Sequence, residues 1–235
     1  MTTVRLRHVH TDLALHQLRD RDGGAHPLLL LHGLGERTPD SVPLIAGAWP
    51  GSVWGLDFTG HGDSSRPSCG GYTAEVLLAD VDHALEVLAD DGPVTILGRG
   101  LGAYVGLLIA GARAELVAGT VLTDGPGLAG GGPSQHSPSI THARGGVDVL
   151  QRSGADRAAR LDPDKPDPYA LLELAIDVRP ADYATTYARL AVELSPVDQP
   201  LSVATVARHP WIDAVADLPG VVRERAADAL RRFAA

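Results

Sequence analysis

Apolar and polar positions along the chain predict strands and helices that alternate over most of its length. Between Leu77 and Leu88, apolar residues recur at helical spacing, and a second apolar helical pattern starts directly after Gly100. Four short segments between such helices predict strands, and the first of them, a run of four leucines, is typical of a strand covered on both faces. The predicted strands are residues 28–31, 52–58, 94–97 and 119–123. This alternation indicates parallel strands joined by crossover helices.

The two ends of the chain depart from this pattern. Residues 4–19 alternate loosely between apolar and polar side chains, which predicts two antiparallel strands at a sheet edge. Glycine-rich sequence without apolar periodicity begins after Asp124, and we interpret residues 125–168 as a cap or lid. Residues 201–207 predict the last clear strand, and residues 222–233 predict an amphipathic closing helix. We expect residues 1–235 to form a single domain.

The predicted strands end in four loops that carry polar residues and glycines. In open parallel sheets, ligands bind outside the carboxyl ends of the strands, so these loops are expected to converge on one crevice. The four loops are residues 32–36, 57–67, 98–102 and 124–127.

The order of motifs in three of these loops resembles the α/β-hydrolase superfamily. His32-Gly33-Leu34-Gly35 resembles its HG oxyanion loop, and residues 57–67 (DFTGHGDSSRP) resemble its D-x-x-G-H-G-x-S loop. Residues 98–102 (GRGLG) stand where the nucleophile elbow G-x-S-x-G is expected. The resemblance covers residues 10–125 well. It implies an α/β-hydrolase fold, a mostly parallel twisted sheet with helices on both faces and a short cap or lid insertion.

The resemblance also assigns positions to the catalytic groups of the family. The nucleophile position is Gly100, which has no side chain and cannot attack a substrate. The oxyanion donors would be the backbone N–H groups of Leu34 and Leu101, and backbone donors survive substitution of their side chains. The acid could be Asp124, whereas the other family position for an acid holds His209. Further residues implied to line the oxyanion and ligand site are His32, Gly33 and Arg99.

The catalytic histidine of the family follows a further strand near the C-terminus. This chain has no histidine after His209, and the short stretch 218–222 leaves too little room for that strand and its loop. We therefore expect the last strand to be absent. A deliberate change of serine to glycine would explain Gly100 alone, but not the missing histidine. Two losses together favour a natural departure from serine hydrolysis.

Several other residues could supply proton transfer in place of a serine-based triad. His209 could form an acid–base pair with Asp124, because imidazole titrates near neutrality. His136 and His142, in the predicted lid, could reach the crevice from above, or they could simply be solvated. His32 and His61 belong to family loops, where a histidine more often braces the loop than transfers protons.

A dinucleotide-binding site is the alternative interpretation of the same elbow. The spacing Gly98-x-Gly100-x-x-Ala103 follows a strand and opens a helix, and Asp124 lies about twenty residues further on. This fingerprint usually stands in a first βαβ unit, whereas two αβ units precede it here. It also leaves the HG and GHG loops unexplained.

Composition and charge limit the kinds of molecule that this protein is expected to bind. The formal net charge of −9 argues against nucleic acid and anionic membranes as partners. Cys69 is the single cysteine, and no spacing predicts a metal site, so we expect neither a disulfide nor a metal or other cofactor. The apolar stretch 105–110 is far shorter than a membrane span, and a cytoplasmic protein is expected. The sequence leaves the oligomeric state open.

Three functional hypotheses follow. The first is a hydrolase-like or lyase-like enzyme that acts on a small ester or carbonyl compound without serine. The second is a pseudoenzyme that binds a small molecule between core and lid. The third is an interaction protein whose pocket has closed. Retention of the HG and GHG loops favours the first two, whereas a filled crevice would favour the third.

Overall fold

The computed structural model describes residues 1–8, 11–21, 25–68, 70–131, 162 and 165–235. Within them, one twisted sheet is flanked by helices. The strands are β1 (Thr2–His8), β2 (Thr11–Arg19), β3 (Leu28–Leu31), β4 (Val53–Asp57), β5 (Val94–Arg99), β6 (Val117–Thr123), β7 (Leu201–Ala204) and β8 (Val221–Arg223). The helices are α1 (Ala74–Leu88), α2 (Leu101–Ala112), α3 (Pro168–Ile176), α4 (Ala181–Leu194), α5 (Pro210–Ala216) and α6 (Ala226–Phe233). Short 3₁₀ turns occur at Leu44–Ala46 and Ala89–Asp91.

The eight strands lie in the order β1-β2-β4-β3-β5-β6-β7-β8. β1 pairs with β2, and β2 with β4, in antiparallel fashion, and every later pairing is parallel. β3 is central, with Leu28 opposite Val53 of β4 and Thr95 of β5. Its four leucines are buried, which explains why the run is apolar at every position. The predicted mostly parallel sheet with helices on both faces is confirmed.

Alternate residues of the strands point into two apolar layers. Leu29 and Leu31 pack in the larger layer with α1, α2, α4 and α5, whereas Leu28 and Leu30 face the smaller layer with α6. The contact with α6 is close, because a Cβ added at Gly119 of β6 would lie 2.4 Å from the Phe233 ring. No helix among the described residues is long and apolar enough to cross a membrane.

The expectation that the last strand is absent was wrong. Residues 221–223 pair in parallel with β7, so the closing helix starts at Ala226 and not at residue 222. The strand fits because it is only three residues long and is joined to α5 by a tight turn at Gly220, where φ is +87°. The residue that follows it, Glu224, accepts hydrogen bonds from Ser202 Oγ and Arg232 Nη2, each at 2.8 Å. These contacts fasten β8 to β7 and α6.

A buried carboxylate on α1 holds the loop that follows β4. Asp80 is 3% exposed, and its two oxygens accept hydrogen bonds from the Thr59 N–H at 2.8 Å and the Thr59 hydroxyl at 2.9 Å. Burial raises the pKa of Asp80 to about 7, although the bonds from Thr59 act in the opposite direction. The carboxyl group is therefore easier to keep neutral in the fold than in the unfolded chain.

This shift predicts a pH dependence of stability. Asp80 of the unfolded chain ionises near its ordinary pKa of 3.8, whereas the folded protein resists ionisation until about pH 7. The free energy of unfolding should therefore fall between about pH 4 and pH 7, by up to about 1.4 kcal/mol per pH unit, and level off above. Asp80→Asn removes this contribution, since an amide can accept from the Thr59 N–H and donate to its hydroxyl. Urea unfolding at pH 4.5, 6.0 and 7.5 measures the difference between the two proteins.

The matched control is Asp82→Asn, which changes a carboxylate on the same helix that pairs with Arg113 at the surface. The control should keep the pH-dependent fall that Asp80→Asn loses. An equal fall in wild type and Asp80→Asn would contradict the assignment.

Candidate active site

The elbow between β5 and α2 has the geometry that a nucleophile elbow requires. β5 ends at Arg99 and α2 begins at Leu101, so Gly100 alone makes the turn. Its backbone angles are φ 58° and ψ −117°, a combination that L-residues rarely adopt. Gly100 itself is buried. The turn therefore keeps the strained backbone of the motif at a residue that has no reactive group.

Both predicted oxyanion donors have an acceptor inside the protein. The N–H of Leu34 and the N–H of Leu101 donate to the carbonyl oxygen of Pro126, at 3.0 and 2.9 Å. These distances are ordinary for N–H···O hydrogen bonds. The two donors thus converge on one point, as an oxyanion hole requires. That point is occupied by a carbonyl group of the chain itself.

Residues 125–127, Gly-Pro-Gly, fill the space in which a catalytic side chain would lie, and we call them the plug. A Cβ added at Gly100 would lie 2.1 Å from the Pro126 oxygen and 2.5 Å from the Gly125 carbonyl carbon. Gly127 packs closely against the residue that supplies one of the donors, since a Cβ added at Gly127 would lie 2.6 Å from the Leu34 Cβ. Any side chain at position 100 would therefore require the plug to move.

An ion pair next to the elbow joins the loops that carry the donors. Arg99 Nε donates to both carboxylate oxygens of Glu36, at 3.1 and 3.0 Å, and Glu36 accepts the Gly33 N–H at 3.0 Å. Arg99 Nη1 also donates to the backbone oxygen of Asp124 at 3.1 Å. The side chain of Arg99, 55% exposed, thus links the elbow to the HG loop and to the start of the plug.

Asp124 and His209 do not form a hydrogen-bonded pair. The Asp124 carboxylate accepts the N–H groups of Val206 and Ala207, at 2.6 and 3.0 Å, and so fixes the loop after β7. His209 is half-buried at the N-terminus of α5, where its side chain makes no capping bond. Among the described residues, no contact joins the His209 ring to Asp124. The Asp124 carboxylate thus has a structural role, because each of its oxygens accepts a backbone N–H group.

The two histidines of the family loops hold those loops in place. His32 Nε2 accepts the Phe58 N–H at 3.1 Å, and its Nδ1 lies 2.8 Å from the Gly33 oxygen. His61 Nε2 accepts the Gly35 N–H at 3.1 Å. Burial lowers the pKa of His32 and lowers that of His61 to about 3, so both rings are neutral at pH 7. Their ring nitrogens are committed to the loop backbone.

Asp57 and His16 form a buried pair that the sequence did not single out. Asp57 accepts His16 Nε2 at 3.1 Å, the Thr38 N–H at 2.7 Å and the Asp63 N–H at 2.8 Å. Burial alone would raise the pKa of Asp57, but these hydrogen bonds outweigh it and hold the pKa far below its ordinary value. The signal in the sequence was a histidine on the inward face of β2.

α3 is part of the cover over this end of the sheet. Its Leu171 side chain approaches Gly35, where an added Cβ would lie 3.0 Å from Leu171 Cδ2. Glu173 accepts the N–H groups of Gly71 and Tyr72, both at 2.7 Å, and so ties α3 to the loop before α1. Of the predicted lid, residues 132–161, which include His136 and His142, lie outside the described residues.

The arrangement does not favour a dinucleotide site at the elbow. A pyrophosphate would need free N–H groups at the start of α2. Those of Leu101, Gly102 and Ala103 donate instead to the oxygens of Pro126, His32 and Gly100, at 2.9 to 3.1 Å. In the part of the chain that the structure describes, no group of His, Cys, Asp and Glu side chains could hold a metal ion.

Comparison with known proteins identifies the fold. The chain aligns over its full length with the thioesterase domain from the curacin biosynthetic pathway, at 16% identity and a TM-score of 0.66, and covers 97% of that domain. It is also similar to the enol-lactonase from Burkholderia xenovorans LB400 (19% identity, TM-score 0.61, 98% and 95% of the two chains). A third similar structure is a thermophilic esterase from Thermogutta terrifontis (17% identity, TM-score 0.60, 99% and 93%).

At these identities the likeness establishes the fold alone. No curated protein matches the chain significantly. The family model described as "Alpha/beta hydrolase family" matches residues 28–235, which is most of the chain. The three motif loops, the strand order and this match agree with one another. The chain belongs to the alpha/beta hydrolase family.

Proposed function

We propose that this chain is a non-hydrolytic member of its family, which acts by binding and not by turnover. One observation carries the proposal: the Pro126 carbonyl oxygen accepts both oxyanion-hole N–H groups, at 3.0 and 2.9 Å. A substrate carbonyl would have to displace this internal acceptor before the hole could stabilise any negative charge. The elbow offers no nucleophile to use that charge stabilisation once it were available.

Three further contacts support the same conclusion. Each carboxylate oxygen of Asp124 accepts a backbone N–H group of the loop after β7, and no hydrogen bond joins Asp124 to a histidine among the described residues. Arg99 and Glu36 pair next to the elbow. Glu224, the residue directly after β8, is bonded to Ser202 and Arg232. The acid position, Asp124, and the residue after the last strand, Glu224, thus hold neighbouring elements together.

The first sequence-based hypothesis, an enzyme that uses the oxyanion loops without serine, receives less support. It requires the hole to be open to a carbonyl group of the substrate, and the plug occupies that position. The occupied oxyanion hole instead favours the third hypothesis, an interaction protein whose pocket has closed. The esterase, thioesterase and lactonase activities of similar structures belong to those proteins, and this chain lacks the group on which serine chemistry depends.

Neither wild type nor Gly100→Ser should hydrolyse p-nitrophenyl acetate or butyrate above the buffer rate, and neither should react with a fluorophosphonate probe. In wild type the nucleophile is missing. In Gly100→Ser the hydroxyl has no space beside Pro126, and Glu224 follows β8 where the family's histidine is expected. Absorbance at the p-nitrophenolate band and intact-protein mass spectrometry measure the two outcomes.

A serine esterase assayed alongside provides the positive control. Turnover by wild type that a serine-directed inhibitor abolishes would overturn the proposal. Labelling of Gly100→Ser alone would show instead that the plug moves aside readily.

Gly100→Ser should lower the free energy of unfolding by about 3 kcal/mol or more, because the new Cβ combines a strained backbone with overpacking against Pro126. Gly92→Ser is the matched control: Gly92 also has positive φ, at 121°, but a Cβ there would meet nothing within 4 Å. The control therefore carries the backbone penalty without the steric one.

Chemical denaturation of wild type and the two variants separates the backbone penalty from the steric penalty. Gly100→Ser should be clearly less stable than Gly92→Ser. Equal loss in both variants would mean that the plug does not resist a side chain at the elbow.

A further inference from the structure

Arg179, between α3 and α4, is a buried cation with one hydrogen bond among the described residues. Its side chain is 6% exposed, and its Nη2 donates one long hydrogen bond, 3.3 Å, to the Leu174 oxygen. Within the described residues, its Nε and Nη1 are fully enclosed and have no hydrogen-bond partner. Nη1 lies against the backbone of Gly130, where an added Cβ would be 2.1 Å away. Most N–H groups of this guanidinium are therefore unused.

The charge of Arg179 also lacks a counter-ion. Asp177 is the nearest acid that acts on it, but the Asp177 carboxylate accepts the Ala74 N–H at 2.9 Å and forms no ion pair with Arg179 among the described residues. The Tyr104 ring, 5.3 Å from the guanidinium carbon, gives partial compensation through its π face. Burial lowers the pKa of Arg179 only to about 10, so the group stays charged at pH 7. An uncompensated buried charge costs several kcal/mol.

Tyr104 lies next to this charge, and Tyr183 and Tyr187 in turn act on Tyr104. The Tyr104 hydroxyl interacts electrostatically with Arg179 and Tyr187, and it makes no hydrogen bond within the described part of the chain. The hydroxyls of Tyr183 and Tyr187 lie 3.4 Å apart on the half-buried face of α4. Phenol hydroxyls and a guanidinium are all hydrogen-bond donors, so the cluster offers donors in excess of acceptors.

The acids at the edge of this cluster limit the charge of a ligand. Glu75 and Asp177 both act on the Tyr104 hydroxyl and raise its pKa, beyond the rise that burial causes. One guanidinium balances one negative charge, and these two carboxylates would repel a second. The donor set is thus suited to a carboxylate and poorly suited to a phosphate dianion.

We propose that Arg179 and the hydroxyls of Tyr104, Tyr183 and Tyr187 bind the carboxylate group of a small organic acid. Because Nε and Nη1 of Arg179 are enclosed, entry requires the half-buried side chains of Tyr183 and Tyr187 to move aside. The carboxylate would then reach the unused N–H groups of Arg179, and the tyrosine rings would contact the organic part. This site is formed by α2, α4 and the segment after α3, and it does not use the elbow. The inference names the ligand class of the proposed binding function and rests on that function only for its biological use.

The experiment uses benzoate and acetate as probes at constant ionic strength, with benzamide as the neutral analogue of benzoate. Benzoate should raise the melting temperature of the full-length protein in a saturable way, acetate should do so more weakly, and benzamide and phosphate should not. Arg179→Met should weaken benzoate binding, measured by titration calorimetry, about tenfold or more, because it removes charge-assisted hydrogen bonds. Tyr104→Phe should weaken it by a smaller factor.

The ligand-free variants provide a second readout. Arg179→Met should be as stable as wild type or more stable, since it removes an uncompensated buried charge. Arg113→Met is the matched control, because Arg113 pairs with Asp82 at the surface; it should leave benzoate binding unchanged. A purely structural role for Arg179 predicts the opposite: loss of stability in Arg179→Met and no benzoate effect in wild type.

Each outcome decides the matter. No benzoate-dependent shift in wild type, an equal shift with benzamide or phosphate, or unchanged affinity in Arg179→Met overturns the inference. If Arg179→Met does not fold, Tyr104→Phe decides, and unchanged binding in that variant overturns it. Ester turnover would overturn the proposed loss of hydrolysis without affecting this result, so the two proposals can fail separately.

Discussion

Two backbone N–H groups that converge on one carbonyl oxygen hold the loops at the carboxyl end of the central strands together. The N–H groups of Leu34 and Leu101 come from loops that follow β3 and β5, and the oxygen comes from the segment that follows β6. The interaction therefore ties together three neighbouring strands at their carboxyl ends. Gly100 is a precondition for it, because the Pro126 oxygen would lie 2.1 Å from any Cβ at that position. The missing side chain and the filled hole are two aspects of one packing arrangement.

The polar groups around this interaction also form hydrogen bonds within the protein. Side chains at positions that the family resemblance assigned to the site hold loops here, as Asp124 does for the loop after β7 and as His32 does for the loop after β4. A buried polar group must find a partner wherever one is available, since an unsatisfied group costs about 1–3 kcal/mol. At the elbow, the protein supplies these partners from its own backbone. At Arg179 it does not, and this contrast is the reason for regarding the latter site as a ligand site.

Much of the fold could be predicted from the sequence. The leucine run of β3, the helical stripe of α1 and the three loop motifs depend on local periodicity and on short signatures, which a sequence displays directly. The last strand was missed because three residues after a tight glycine turn carry too little periodic signal, although they suffice to pair with β7. α3 and α4 are separated at residues 177–180, and Pro180, which has no N–H to donate, is a local signal of this break.

The candidate site was harder to predict, because its decisive partners are backbone atoms. Gly100 indicated the loss of the nucleophile, but nothing in Gly125-Pro126-Gly127 states that its central carbonyl enters the oxyanion hole. The two flanking glycines were the available signal, since both lie where a side chain would collide with the elbow or with Leu34. The isolation of Arg179 could not be inferred either, because partners that are absent leave no trace in the order of residues.

The plug also changes what the oxyanion hole contributes energetically. In an enzyme, donors of this kind wait for a substrate and act on the reaction barrier. Here the acceptor is tethered to the donors, so its effective concentration exceeds that of any free carbonyl compound and the site is saturated as soon as the chain folds. The two hydrogen bonds then count toward the free energy of folding. In the proposed non-hydrolytic protein, the two donors thus hold together the loops that follow β3, β5 and β6.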